Sequence, residues 1–439
     1  MRKAVIASTI GTAIEWYDFF LYGTAAALVF NKLFFPKVEP SSGTLLALAT
    51  YGVGFAARPL GGIIFGHFGD RIGRKTMLVL SLLIMGIATV LIGLMPTYAA
   101  IGIWAPVILV ALRIAQGIGV GGEWGGAVLM SVEHAPPGRR GFFGSWPQMG
   151  VPAGLFLSTV VFLIVQEVTS DEAFLSWGWR VPFLLSAILV GVGLFVRLRL
   201  YESPAFQRVK DTGTEAPMPI LDVLRKYPRE VLLAMGMRIA ENGTFYILTV
   251  YVLVYGNEEL KLPKSTMLWG VVIAALIGLV TIPWYGALSD RLGRRPLYLG
   301  GALFSLVFAF PFFLLLNTKT ALLIWLAIVL GVNVGHDLMY GPQAAYFAEL
   351  FGTRVRYSGA SLGYQLASVF AGGFAPLVAA ALLKWAGWPA VAAYMAVMAA
   401  ITVVATWLAT ETYQYDIEAE DHRERDLVGG REVRPEART

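Results

Sequence analysis

The ten residues G-H-F-G-D-R-I-G-R-K, Gly66 to Lys75, return as G-A-L-S-D-R-L-G-R-R, Gly286 to Arg295. The offset is 220 residues (286 − 66) in a chain of 439. Each copy separates two long apolar runs. A charged turn that recurs at half length inside apolar sequence constrains the chain to a duplicated membrane architecture. A second echo keeps nearly the same register. Glu133 precedes Arg140 by seven residues, and Glu349 precedes Arg356 by seven, 216 residues on (349 − 133). Basic turns alone would account for the Arg residues, but not for the matched Asp, Gly and Glu.

Composition agrees with a membrane solvent. The chain is 57% hydrophobic and 14% charged, against about 25% charge in a soluble protein. Its net charge of +5 is the mark of basic loops on one membrane face and does not imply a nucleic-acid partner. Cys is absent, so disulfides, thiolate metal sites and Cys nucleophiles are excluded. The four His form no metal motif. With no nucleophile triad and no phosphate loop, the sequence does not read as an enzyme. Arg2 and Lys3 lead into an apolar run without a cleavage pattern, so that run is expected to be a retained helix.

Measured against the roughly 20 apolar residues that a span needs, the sequence predicts an all-α membrane protein of twelve helices. They are Val5–Phe30, Thr44–Phe65, Met77–Leu94, Ile103–Met130, Phe143–Val165 and Val181–Leu198, then Val231–Tyr255, Met267–Leu288, Leu297–Leu316, Ala321–Ala348, Gly359–Leu383 and Ala390–Ala409. The halves are residues 1–200 and 230–410. A charged, Pro-containing linker, 201–229, joins them, and a charged tail, 411–439, is expected to be solvated. Loops 2–3, 4–5, 6–7, 8–9 and 10–11 are basic, which predicts that they and both termini are cytoplasmic.

Charges inside spans are costly and are therefore functional candidates. Glu15, Asp18 and Tyr22 fall on one stripe of helix 1, and Arg113, Gln116, Val120 and Glu123 on one stripe of helix 4. Arg238, Glu241 and Asn242 cluster on helix 7. Asn333, His336, Tyr340 and Gln343 share a face of helix 10, with Asp337 at its margin. Gln148 and Gln365 add amides on helices 5 and 11. Trp16, Tyr17, Trp124, Trp146 and Tyr246 could wall a pocket. Helices 3, 6, 9 and 12 carry few polar residues.

The motif G-x-x-x-D-R-x-G-R-[KR] and its echo resemble the signature of the major facilitator superfamily. Four further stretches resemble its metabolite:proton symporter group: E-W-Y-D-F-F-L-Y-G (Glu15 to Gly23), F-A-A-R-P-L-G-G (Phe55 to Gly62), R-I-A-Q-G-I-G-V-G-G-E-W (Arg113 to Trp124) and W-G-W-R-V-P-F (Trp177 to Phe183). That group includes shikimate, α-ketoglutarate, citrate and proline/betaine transporters. His336-Asp337, Tyr357-Ser358-Gly359-Ala360 and Gly363-Tyr364-Gln365 place the resemblance nearest the shikimate branch. Helix 5 reads Q-M-G-V-P-A-G-L (Gln148 to Leu155), only a partial match to the motif of drug antiporters.

The resemblance implies two six-helix halves around a cavity lined by helices 1, 4, 7 and 10. It also implies an inner-membrane transporter that needs no cofactor beyond a proton gradient and acts as a monomer on a small molecule. For coupling it points to Asp18 with Arg113, and to Glu15 and Glu123 as rival proton carriers. A proton-sensitive Asp18–Arg113 ion pair and a purely structural salt bridge are both compatible with the residues. For substrate contact the candidates are Arg113, Gln116, Gln148, Arg238, Glu241, Asn242, Asn333, His336, Asp337, Tyr340, Gln343 and Gln365. Arg238 suits a carboxylate, although Glu241 one turn away could neutralise it. For gating they are Gly66, Asp70, Arg71, Gly73, Arg74 and Lys75, mirrored by Gly286, Asp290, Arg291, Gly293, Arg294 and Arg295, with Glu133, Arg140, Glu202, Glu349 and Arg356 as a charge network. Asp70, and Asp290 as its mirror, would sit against the N-terminus of a neighbouring helix. The substrate expected is a small organic acid. A zwitterion such as proline or betaine, and a sensor without flux, are the alternatives.

Overall fold

In the computed structural model the described residues are 2–72, 74–121, 124–133, 135–136, 138–198, 219–351 and 356–414, apart from some side chains within the helices. Twelve long helices run through them. In the first half they are α1 (Arg2–Leu28), α2 (Pro40–Ile72), α3 (Arg74–Leu94), α4 (Trp104–Gly121, continued by Trp124–Glu133), α5 (Arg140–Gln148 and Gly150–Val168) and α6 (Arg180–Leu198). In the second they are α7 (Pro228–Tyr246, Ile247–Tyr251 and Val252–Val254), α8 (Lys264–Leu292), α9 (Arg294–Asn317), α10 (Ala321–Val329, Leu330–His336 and Asp337–Leu350), α11 (Arg356–Ala367, Ser368–Gly373 and Ala375–Ala386) and α12 (Trp388–Leu408). Among the described residues no strand occurs. A short helix, Pro219–Lys226, precedes α7.

Eight of the described helices are long and apolar enough to cross a membrane by themselves, and the bent pair leading into α6 makes a ninth. Not among them is α7, which carries Arg229, Glu230, Arg238 and Glu241. Its place in a membrane depends on burial of that charge by its neighbours.

Within the first half α1 packs on α5, α2 on α4 and α3 on α6. In the second, α7 and α9 pack on α12, and α8 on α10. The halves meet through α5 against α8 and through α2 against α11, a pairing that treats the second and fifth helices of each half alike. The α5–α8 approach is closest at Gly141 and Gly286. A Cβ on Gly286 would lie 2.6 Å from the Gly141 carbonyl oxygen, so both positions exclude a side chain.

Three of the inner helices are interrupted by π-helical turns: Ile247–Tyr251 in α7, Leu330–His336 in α10 and Ser368–Gly373 in α11. Such turns shift the hydrogen-bond register and gather at functional sites. Here they bracket the polar centre of the second half.

Candidate functional site

Between the halves lies a narrow cleft. It is walled by Thr12 and Trp16 of α1, Arg58 of α2, Val120, Trp124 and Val128 of α4, Gln148 of α5, Tyr340 of α10, and Tyr364 and Gln365 of α11. Several buried polar atoms around it have no hydrogen-bond partner among the described residues: Thr12 Oγ1, Arg58 Nε and Nη2, Trp124 Nε1, Gln148 Oε1 and Gln365 Oε1. Buried polar groups are nearly always satisfied. A cluster of unsatisfied donors and acceptors around one space is what a polar ligand would complete.

Arg58 is the cation of this wall. It is 1% exposed, and its guanidinium lies over the rings of Phe19 and Phe55, 4.4 Å from each centroid, and 5.0 Å from that of Trp16. Those rings hold the charge in place without neutralising it. Arg58 lies in the stretch F-A-A-R-P-L-G-G, where sequence spacing assigns it no role. A lone Arg inside an apolar span was the signal that could have found it.

Two amides span the halves at the cavity. Gln148 Nε2 donates to the Tyr340 carbonyl, and Gln365 Nε2 donates to the Gly121 carbonyl at 3.0 Å. Trp124 stacks on Tyr364 at 3.7 Å. Of the residues expected to contact substrate, Gln148, Tyr340 and Gln365 line the cavity. The others do not line it.

In the first half Asp18 and Arg113 are both fully buried, but they do not form the expected ion pair. Asp18 Oδ1 accepts from Ser186 Oγ of α6 at 2.5 Å. Arg113 Nη1 donates to Gln116 Oε1 at 2.9 Å, and Gln116 Nε2 donates to Thr89 Oγ1 of α3 at 2.8 Å. The Arg113 guanidinium stands 4.0 Å from the Phe19 centroid and 4.4 Å from that of Tyr22. Aromatic faces and an amide take the place of the carboxylate. Glu15 is buried, 2% exposed, and Glu123 lies outside the described residues.

In the second half the charges join into one network. Arg238 Nη1 pairs with Glu241 Oε2 at 2.7 Å and donates to Gln343 Oε1 at 2.9 Å. Its Nε donates to Ser368 Oγ at 3.1 Å, and its Cζ is 3.2 Å from the Tyr364 centroid. Gln343 Nε2 reaches Glu241 Oε2 and Tyr298 OH. His336 stands between Glu241 (Nε2, 3.2 Å) and Asp337 (Nδ1, 2.8 Å). Asp337 Oδ2 accepts from Asn333 Nδ2 at 2.9 Å and from Thr281 Oγ1. Arg238 is therefore tied to Glu241, as the spacing allowed. Asn242 is buried, with Oδ1 filling the space beside Gly372. The peripheral helices are less bland than their sequences suggested, since Thr89, Ser186, Tyr298 and Thr402 all bond to the inner ones.

The end of the molecule that bears the repeated basic turns is closed by Asp290. Its carboxylate accepts from the backbone N–H of Gly141 at 2.8 Å and of Phe142 at 2.9 Å. It thus caps the N-terminus of α5 in the other half, where the helix dipole favours an anion. Arg294 holds Asp290 at 2.8 Å and Glu349 at 3.1 Å, and Arg140 reaches Glu349 at 3.9 Å. Gly293, at φ +100°, makes the turn that brings Arg294 round. Arg295 bonds the Trp407 carbonyl, and Arg291 is exposed. Gly66, Asp70, Arg71, Arg74, Lys75, Glu133 and Arg356 have side chains or surroundings outside the described residues, and Gly73 and Glu202 lie outside them entirely.

The opposite end is closed as well. Thr44 Oγ1 of α2 donates to Glu258 Oε1, just beyond α7, at 2.5 Å. Burial pushes the Glu258 carboxyl above its ordinary range, and the Thr44 bond offsets part of that. Lys384 meets Glu39 at 3.1 Å on the surface. Beneath them Phe20, Tyr51, Phe55, Phe245 and Tyr246 pack edge to face across the halves. Contacts thus join the two halves at both ends.

A twelve-helix bundle in two halves, with a cleft between them that buried polar side chains reach and charge clusters at its ends, has the architecture of a transporter. The description "Major Facilitator Superfamily" matches residues 8–372, and the chain belongs to that family. It is 46% identical over 398 residues to the shikimate transporter of Escherichia coli K12, covering 90% of this chain and 91% of that one. It is 44% identical over 416 residues to the E. coli inner membrane metabolite transport protein YhjE, covering 94% of both. To the E. coli proline/betaine transporter it is 38% identical over 394 residues, 88% of this chain and 78% of that one. Among solved structures, the proton:xylose symporter XylE bound to 6-bromo-6-deoxy-D-glucose superposes with a TM-score of 0.75 at 18% identity, covering 95% of this chain and 97% of XylE. These relatives are transporters and not enzymes.

Proposed function

We propose that the chain imports a small organic acid together with a proton by alternating access. The observation that carries this reading is Arg58: a buried guanidinium on the cavity wall with two nitrogens unbonded. A planar guanidinium is shaped for a carboxylate. Thr12, Trp124, Gln148 and Gln365 offer surrounding contacts for hydroxyls. The likeness to the shikimate transporter supports an acid of that kind.

The aromatic wall of Trp16, Trp124 and Tyr364 favours a second reading, because such faces also hold quaternary ammonium groups. That reading is a zwitterion such as betaine, as the likeness to a proline/betaine transporter suggests. In either case the reading puts the Asp290 end and both termini on the cytoplasmic side of a bacterial inner membrane, which the basic turns support. Asp18 is the proposed proton carrier, buried and held by Ser186 while Arg113 stands on its aromatic rings. Equilibrium binding of labelled shikimate to the purified protein, competed by betaine and by neutral polyols, tests the substrate class. The acid reading predicts displacement by carboxylates alone. Displacement by betaine but not by shikimate would replace it with the zwitterion reading.

A further inference from the structure

The Glu241–His336–Asp337 chain has a proton count that geometry dictates. Both ring nitrogens of His336 face carboxylate oxygens, Nε2 toward Glu241 Oε1 at 3.2 Å and Nδ1 toward Asp337 Oδ1 at 2.8 Å. A neutral imidazole carries one N–H and one lone pair. With both carboxylates ionised and the ring neutral, one of the two contacts would set lone pair against lone pair. Both contacts are attractive only when the three groups share one proton beyond the ring's own, either on the imidazole or on one of the acids.

The second oxygen of each acid is already committed. Glu241 Oε2 receives Arg238 Nη1 and Gln343 Nε2. Asp337 Oδ2 receives Asn333 Nδ2 and Thr281 Oγ1. All three groups are at most 2% exposed, so water does not compensate a lost contact. The groups facing the site are Arg238 on α7, Thr281 and Tyr285 on α8, Tyr298 on α9, Asn333, Tyr340 and Gln343 on α10, and Tyr364 and Ser368 on α11. Arg238 is the one fixed cation among them, and it neutralises one of the two acids.

We propose that Glu241, His336 and Asp337 form a proton-loading site in the second half, separate from Asp18. His336 and Asp337 are neighbours on α10, whereas Glu241 is on α7. Loss of the shared proton sets one His336 contact lone pair against lone pair, and the Glu241–His336 contact, which together with those of Gln343 links α7 to α10, is the one between separate helices and so free to open. His336 closes the π-helical turn Leu330–His336, which places the break at an existing irregularity in α10. The site touches the cavity wall twice. The Tyr340 ring stacks on His336 at 4.8 Å, and the Tyr364 ring covers Arg238 at 3.2 Å. On the reading that transport is proton-coupled, this site carries protonation to the substrate cavity.

The test needs neither substrate nor gradient, so its failure is distinct from a failure of that reading. The full chain, labelled with ¹⁵N-histidine in lipid nanodiscs, is titrated by NMR, with carboxyl bands followed by infrared difference spectroscopy. His336→Gln assigns the ring signals. The proposal predicts that the His336 ring and one carboxyl band change in a single shared pH step. Asp337→Asn and Glu241→Gln should each displace that step by about one pH unit or more. Thermal unfolding of each variant at the wild-type temperature reports an intact fold. A His336 step that occurs without a carboxyl band, or whose midpoint either substitution leaves in place, would overturn the three-member site.

Discussion

Arg58 and Arg113 are two buried guanidiniums in one half, and the protein handles them differently. Arg113 has Gln116 and three aromatic faces, while Arg58 has rings and the cavity. Removing a cation that meets a substrate carboxylate in a desolvated site costs about 2–5 kcal/mol of binding. Arg58→Gln should therefore weaken binding of the transported acid by that amount. Arg238→Gln should act chiefly on stability, because it strands Glu241 inside the bundle, at about 3–5 kcal/mol. Isothermal titration and thermal unfolding of the two variants separate these roles. The reverse pattern, with Arg238→Gln losing affinity at unchanged stability, would move the carboxylate site to the second half. The residue scale is also where the sequence was least legible. Stripe spacing found Asp18, Arg113, Arg238, Glu241 and His336, since polar periodicity on a helix is local. It could not find Ser186 as the partner of Asp18, 168 positions away, nor the isolated Arg58, which belongs to no stripe.

Elements carry the two closures. The spacing of the repeated turn predicted an anion at a helix N-terminus, and Asp290 occupies that place on α5. Which helix it would cap was not readable, because the contact joins the two halves. Asp290→Asn keeps the shape but loses the charge, so the closure at the Asp290 end should weaken by roughly 1–2 kcal/mol. Distances between spin labels on α5 and α8 should then lengthen at that end, with equilibrium substrate binding retained. At the other end the raised Glu258 carboxyl sets a pH dependence. Its affinity for a proton is higher when Thr44 and Glu258 are buried together than when the end is open and hydrated. Acid therefore favours closure, and closure weakens as pH rises through the raised value. Spin labels on α2 and α11 at that end should separate with increasing pH in the wild type and lose that response in Glu258→Gln. A pH response that survives the substitution would assign it elsewhere.

At the scale of the molecule, the twelve-helix fold was legible because a bilayer imposes length and apolarity on every span. Helix α7 was read from the same length of largely apolar sequence, Val231–Tyr255, although Arg238 and Glu241 interrupt it. The closed state at both ends could not be read from sequence, because it is one of several packings that the same helices support. The central claim is that the two halves couple a proton to an organic acid. Purified protein in sealed vesicles, alkaline inside, should accumulate labelled shikimate above its outside concentration and release it when an uncoupler is added. Asp18→Asn should exchange shikimate across the membrane at counterflow but fail to accumulate it. Accumulation by Asp18→Asn equal to that of the wild type, or wild-type uptake indifferent to the pH gradient, would contradict the account.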